Sequence, residues 1–299
     1  MSANNPPAAI EIRGLSYSYG RGEAVHDLNL TVAAGRCYGL FGRNGAGKTT
    51  TMKCLLNLLR PTKGEVRVFG LDPAKREVEV KKSLAYVPDS VAFYPWMTVR
   101  ETLDYLASFR DCWNRSIEGD LLDRFRLDPK QQTKALSKGQ RTQLALIGAI
   151  CPEPPLLVLD EPTSGLDPIV RREFIETVIG AYQESAPGQR TIFVSTHLIS
   201  EFEGLIDEFT IMDQGRAVLT LGADEARERY QKIRARFPQP LAREEFAGAL
   251  RVKRTGRELE LIANGERERL MRELEGLGPE ALTTEALTLE EIFVATLKA

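Results

Sequence analysis

Apolar and polar positions alternate between residues 10 and about 32, at Ile10 and Ile12 and again at Leu28, Leu30 and Val32. A period of two places every second side chain on one face, so the stretch is read as half-buried antiparallel strands. Residues 37–41 form a short apolar strand that runs into Gly42. The period then lengthens. Met52, Leu55, Leu56 and Leu59 recur at helical spacing, which predicts a helix over 49–59, closed by the breaker run Arg60-Pro61-Thr62-Lys63-Gly64.

After a loop at 88–97, Thr98 and Glu101 have the spacing of a capping box, and Val99, Leu103 and Leu106 make one helical face. Leu121, Leu122 and Phe125 point to another helix, so the stretch from about 89 to 150 reads as a helical insert between strands. The unbroken apolar run 156–159 is the mark of a strand buried on both faces. Asp167 and Pro168 start a helix, with aspartate as cap and proline at the first helical position, and Val170, Phe174, Val178 and Tyr182 line its buried side. Residues 191–195 are the next strand. Strands alternating with helices imply a mostly parallel sheet. Beyond Gly222 the texture changes: short strand-like runs at 233–237 and 259–263 alternate with helical ones at 267–277 and 289–297. The expected division is a large α/β domain over 1–222 and a small α+β domain over 223–299.

Composition narrows this only a little. The 299 residues suffice for one large domain and a small one. The net charge of −2 lacks the basic excess that a nucleic-acid partner brings, so no nucleic acid is expected, although a local basic patch is compatible with it. Cys37, Cys54, Cys112 and Cys151 lie far apart, and only His26 and His197 could join them, so neither a disulfide nor a zinc framework is expected. The polar N-terminus lacks the layout of a signal peptide, and no apolar run approaches the ~20 residues of a membrane helix. Any membrane role is expected to come through a partner.

The chemistry is concentrated in two segments. Gly42-Arg43-Asn44-Gly45-Ala46-Gly47-Lys48-Thr49 fits GxxxxGK[ST] in full, after a predicted strand and before a predicted helix. The glycines let the backbone wrap so that N–H groups point inward at phosphate oxygens, and the helix N-terminus adds positive partial charge. In such a loop Lys48 neutralises the β- and γ-phosphates of ATP, Thr49 offers its hydroxyl to Mg2+, and Thr50 donates to the α-phosphate. The second segment, Leu156-Leu157-Val158-Leu159-Asp160-Glu161, is a buried strand ending in two acids. Asp160 suits Mg2+ through its water shell, since a hard cation takes oxygen ligands. Glu161, one residue on, points elsewhere and is placed to polarise an attacking water as general base.

Three further segments carry a family resemblance. Leu136-Ser137-Lys138-Gly139-Gln140 resembles the signature of the ABC transporter ATP-binding subunits, Ser164-Gly165-Leu166-Asp167 resembles their D-loop, and Ser195-Thr196-His197 stands at the position of their switch histidine. With the phosphate loop and the acid pair these fall in the family order, over about residues 8–222. The resemblance implies a P-loop NTPase-type fold with an antiparallel N-terminal β subdomain and a helical insert. It implies ATP hydrolysis by two subunits paired head to tail. Ser137 and Gly139 would then meet the γ-phosphate held by the opposite subunit, and Gln140 and Asp167 are counted with them at the nucleotide. The signature precedes a helix over 141–150 whose dipole favours an anion, and Ser137 can cap that helix as well as bind phosphate. His197 would contact the γ-phosphate and position the water with Glu161. Tyr19 matches the aromatic that stacks on adenine, with Tyr17 as a neighbouring rival.

Two positions depart from the family pattern. Asp89, in Tyr86-Val87-Pro88-Asp89, stands where a glutamine usually contacts Mg2+; aspartate can still ligate it, but is shorter and charged. Lys138 stands where glycine is more usual, either near phosphate or turned to solvent. The run Gly45-Ala46-Gly47-Lys48-Thr49-Thr50-Thr51-Met52, the segments around Tyr94-Pro95 and Thr98-Val99-Arg100-Glu101, and the tail Leu289-Glu290-Glu291-Ile292-Phe293 are similar to the bacterial exporter-type branch, whose ATPase subunit is a separate chain. That branch implies a polytopic membrane permease as partner and a place on the inner face of the cell membrane. Val91, Phe93, Tyr94, Trp96 and Met97 are candidates for its groove, or else pack under the insert. The rival class is an ABC-type ATPase that acts on DNA or ribosomes. Those usually carry two ATPase domains or a long coiled-coil arm, against one motif set and no heptad run here. The motifs are compatible with import as well as export, and with a homodimer or a heterodimer.

Overall fold

The two alternating runs near the N-terminus pair as expected. In the computed structural model, which describes residues 8–20, 22–183, 190–241 and 245–297, β1 (Ala8–Tyr19) lies antiparallel to β2 (Gly22–Ala33), with Ile12 opposite Leu30 and Ile10 opposite Val32. Residues 1–7, which belong to the polar N-terminal stretch, lie outside the described residues. A third strand, β4 (Lys63–Val68), flanks β1 on its other edge. It begins inside the run that the sequence presents as a breaker. Gly64 (φ +82°) sits so close to β1 that an added Cβ would lie 2.3 Å from the Gly14 oxygen, so this glycine serves a close strand crossing.

The central sheet has six strands in the order β5 (Leu84–Val87), β6 (Leu156–Asp160), β7 (Thr191–Thr196), β3 (Cys37–Gly42), β8 (Glu208–Asp213), β9 (Arg216–Gly222). The first five are mutually parallel and β9 is antiparallel. Side chains alternate between two cores, as the pleat requires. Leu157, Leu159, Ile192, Val194 and Phe41 enter the core under the helices of the insert. Leu156, Val158, Phe193, Tyr38 and Leu40 enter the core shared with the N-terminal sheet and with α1 (Lys48–Leu55). That is why β6 reads as continuously apolar. Helix α1 is shorter than predicted. It ends at Leu55 because Asn57 turns left-handed (φ +56°), and the amides of Leu58 and Leu59 both return to the Lys53 carbonyl.

The polar helix α2 (Glu77–Ser83) buries only Val80 and had no sequence signal. The insert follows with α3 (Val99–Ala107), α4 (Arg115–Arg124), a 3-10 turn (Thr133–Ala135) and α5 (Lys138–Ile150). The predicted Thr98–Glu101 capping box is present on α3. Glu118 on α4 is 2% exposed. It accepts from Trp113 Nε1 at 2.6 Å and Arg115 Nη1 at 2.7 Å, and it pairs with Arg100 on α3. Leaving such a carboxylate unpaired costs about 3 kcal/mol or more, so this cluster fixes α3 against α4.

Beyond β7 come α7 (Ile199–Phe202), the β8–β9 hairpin and α8 (Ala223–Arg229). Then four antiparallel strands form a sheet in the order β11 (Ala249–Thr255), β12 (Glu258–Asn264), β10 (Tyr230–Arg236), β13 (Ala281–Ala286). Helix α9 (Arg267–Glu275) covers one face through Leu270 and Leu274, on Ile233, Ala235, Leu259 and Leu261. The last helix, α10 (Leu289–Leu297), turns back, and Leu289, Ile292 and Ala295 join the same core as Phe202 and Ile206. Lys232 on β10 is tied to Glu291 on α10 and to Glu285 on β13.

Candidate active site at the strand carboxyl ends

The parallel register aligns the ends of three neighbouring strands: Leu40 lies opposite Ser195, and Asp160 opposite Ser195 on its other side. In sheets of this kind, ligands collect beyond the carboxyl ends of the strands. A cleft of about 400 Å³ opens there, lined by residues 44–50 of the phosphate loop and by Tyr19, Ala24, Asp89, Glu161, Ser164 and His197.

The loop from Gly42 to Lys48 wraps as its glycines allow. Gly45 (φ +83°) and Gly47 (φ +103°) both take left-handed conformations. At Gly47 an added Cβ would also lie 2.6 Å from the Ala24 carbonyl, so no other residue fits. Helix α1 starts at Gly47 with no side-chain cap and no acid in its first turn. Its leading amides therefore face the cleft without an internal anion, which fits a phosphate chain. Lys48 is 4% exposed; its Nζ donates to the Gly42 carbonyl at 2.8 Å and the Arg43 carbonyl at 3.2 Å. Arg43 thus contributes its backbone, while its side chain stays exposed and outside the cleft.

Asp160 is 1% exposed. Its Oδ1 accepts from Ser195 Oγ at 2.6 Å and Thr49 Oγ1 at 3.1 Å, and its Oδ2 from Tyr86 Oη at 3.4 Å. Burial holds its carboxyl above the ordinary range, against the two hydroxyl bonds to Oδ1, and the charges of Glu161 and Asp89 push the same way. Burial and the neighbouring Asp160 raise the Tyr86 phenol as well. Asp160 holds the Thr49 hydroxyl, and Asp89 lines the same cleft as Thr49. A hydroxyl and acidic oxygens are the donors Mg2+ takes, so the residues fit that ion.

Glu161 follows β6 in a left-handed conformation (φ +46°), which costs a non-glycine residue about 1–2 kcal/mol. The turn is held by its amide, which donates to the Ser195 carbonyl at 3.0 Å. The side chain accepts at Oε2 from His197, 2.7 Å from Nδ1 and 3.3 Å from the backbone N–H. Its Oε1 lies 2.8 Å from Lys48 Nζ as an ion pair without a directed hydrogen bond. His197 orients this carboxylate through one oxygen while the Lys48 ammonium holds the other, so Oε1 is arranged to take a proton once that cation moves away.

Tyr19 is exposed and lines the cleft, whereas Tyr17, edge-on to it at 4.8 Å, packs on the core. Ser137, Gly139, Gln140 and Asp167 do not line this cleft. Ser137 and Gln140 cap α5 reciprocally: Gln140 N–H donates to Ser137 Oγ, and Ser137 N–H to Gln140 Oε1. Asp167 caps α6 (Pro168–Gln183), accepting at Oδ1 from the amides of Ile169 and Val170. Gly139 is kept small by Val170, 3.1 Å from where a Cβ would stand. Tyr86, Ser195 and Ala24 join the site without a sequence signal that gives them a role. Ser195 was visible only as part of the histidine motif, and the other two carry no local signal.

A sequence-family profile described as "ABC transporter" matches residues 25–164, and one described as "AAA domain, putative AbiEii toxin, Type IV TA system" matches 127–202. The bacitracin transport ATP-binding protein BcrA of Bacillus licheniformis is 33% identical over 225 residues, covering 75% of this chain and 72% of that protein. The Nod factor export ATP-binding protein I of Rhizobium leguminosarum bv. viciae is 35% identical over 222 residues, covering 73% and 70%. A solved ATP-binding subunit of an ABC transporter superposes with a TM-score of 0.66 at 29% identity, covering 74% of this chain and 92% of that one. A dimeric ATP-binding cassette bound to ADP and Pi shares the fold, with a TM-score of 0.62 at 21% identity over 72% and 98%.

Proposed function

The chain belongs to the ABC transporter family of ATP-hydrolysing subunits, and from that premise we propose that it drives a membrane exporter as one half of an ATP-bridged pair. The observation that carries this is the convergence of the phosphate loop, Glu161 and His197 on one cleft. The triphosphate lies on the amides of the loop, and Tyr19 stacks on the base. Lys48 turns from Glu161 to the β- and γ-phosphates, which frees the carboxylate. Glu161, steadied by His197, takes a proton from the attacking water as its oxygen bonds to the γ-phosphorus and the bond to the bridging oxygen breaks. Thr49, Asp160 and Asp89 would hold Mg2+, which when bound offsets charge on the phosphate oxygens.

Ser137, Gly139, Gln140 and Asp167 serve the partner's nucleotide in this reading. They sit at helix starts away from their own cleft, and the α5 N-terminus attracts an anion by its dipole. The ATPase unit is taken as 1–222, with a small α+β domain over 223–299.

Among the described residues no helix is long and apolar enough to cross a membrane, so force reaches the bilayer through a permease in this reading. The insert offers a surface for it. Tyr94 and Trp96 are exposed, their rings tilted with centroids 5.1 Å apart, and Tyr105 and Phe109 continue the aromatic ridge. Beside it runs a groove of about 280 Å³, lined by Val91, Phe93 and Pro95 among others. Relatives named for bacitracin transport and Nod factor export favour an exporter over the soluble class. Affinity capture of the tagged chain from membranes in mild detergent is expected to recover a polytopic membrane protein with a pair of ATPase chains. Recovery of the chain by itself, from the soluble fraction only, would sink the transporter reading.

A further inference from the structure

Lys138 opens α5 beside the cap residue Ser137, with its side chain exposed. Instead of extending into water, its Nζ donates to the Ser164 carbonyl at 2.6 Å. It lies over the open face of Gly165 (φ +69°), where an added Cβ would stand 2.9 Å from the nitrogen. Among the described residues no carboxylate pairs with this ammonium, so its contact is with the loop. The bond is of the charge-assisted, short kind.

The loop it grips is the one that carries the candidate base. Ser164 N–H donates to the Glu161 carbonyl at 3.1 Å, closing the turn that begins at left-handed Glu161, and Ser164 itself lines the cleft. Other tethers of the loop come from its far side: Thr163 Oγ1 donates to Glu201, and Arg171 Nη2 to the Leu166 carbonyl at 3.0 Å. Lys138 supplies a tether from α5, at the terminus that carries Ser137.

We propose that Lys138 is a positioning residue that couples the α5 terminus to the Glu161 loop within one chain. Resting on the ATP-bridged pair proposed above, its consequence is regulatory. The partner's nucleotide engages the Ser137 end of α5, and Lys138 passes that engagement to Ser164 and Glu161 in its own cleft. A filled cleft in one subunit thereby promotes hydrolysis in the other. Lys138 does not line its own cleft, so the coupling is read first in turnover.

The test uses the full chain as wild type, Lys138→Met and Lys138→Arg. Methionine keeps the stem and removes the donor; arginine restores a cationic donor to one carbonyl. In the nucleotide-free chain, Lys138→Met is expected to speed amide hydrogen exchange at Gly165 and Leu166, and Lys138→Arg to restore protection. In steady state, Lys138→Met is expected to lower kcat about tenfold, the scale of one charged hydrogen bond, with KM and analogue binding within about twofold of wild type, and Lys138→Arg to recover most of the rate. Unchanged exchange, unchanged kcat, or equal losses in both variants would overturn the proposal. A chain that never pairs with ATP, while its loop exchange still follows Lys138, contradicts the pairing and leaves the tether intact.

Discussion

Glu161→Gln is expected to retain ATP binding, to lower hydrolysis by about a hundredfold or more, and to accumulate an ATP-bound dimer. The geometry dictates the sign of each effect. Glutamine keeps the shape of the side chain and an oxygen that can still accept from the His197 amide and ring. It cannot take a proton from water, so the chemical step loses its base. The same change removes the negative charge 2.8 Å from Lys48, which releases the ammonium for the phosphates. Binding is therefore expected to be equal or tighter, never weaker. Phosphate release measured beside size exclusion in ATP checks this; wild-type turnover in the variant would remove Glu161 from the base role.

Lys48→Ala has the second largest expected effect, and it falls on binding. The Lys48 ammonium is buried and contacts two loop carbonyls and Glu161. A charged hydrogen bond is worth about 1.5–3 kcal/mol, so the variant should bind ATP about 10- to 100-fold more weakly. It also leaves Glu161 without its cation, 10% exposed beside buried Asp160, so the free protein should melt earlier too. Titration with a fluorescent ATP analogue gives the affinity, and an unchanged value would contradict the assignment of the phosphate loop.

Much of the site was legible in the sequence because its parts are local. A phosphate loop needs glycines at fixed offsets, and Gly45 and Gly47 take the left-handed backbone that this implies. The apolar run before Asp160 marks a strand buried on both faces, and its side chains do divide between two cores. The three proposed caps, at Thr98, Ser137 and Asp167, are made within four residues, and all three form. What was not legible depends on distant partners. The end of α1 is set by the turn at Asn57, inside a run whose apolar spacing continues to Leu59. Lys63 and Gly64 read as a breaker because the strand they enter is specified by Gly14, fifty residues back. Strands β11 and β13 bury no residue fully and carry too few apolar positions to announce themselves. Tyr86 and Ser195 reach Asp160 across 74 and 35 residues, a pairing that only the register of β5, β6 and β7 creates. Asp89 was placed by resemblance rather than by pattern, and it does line the cleft. Lys138 could be flagged as unusual, but its bond to Ser164 spans 26 residues and belongs to the fold.

The central claim is that the amides from Gly45 to Thr50 hold the triphosphate of ATP where Glu161 can act on it. A crystal structure of the chain with magnesium and a non-hydrolysable ATP analogue tests it most directly. The account predicts the phosphates seated on those amides, Lys48 moved onto them from Glu161, and the metal between Thr49 and Asp160. An analogue bound elsewhere, with Lys48 still paired to Glu161, would contradict it.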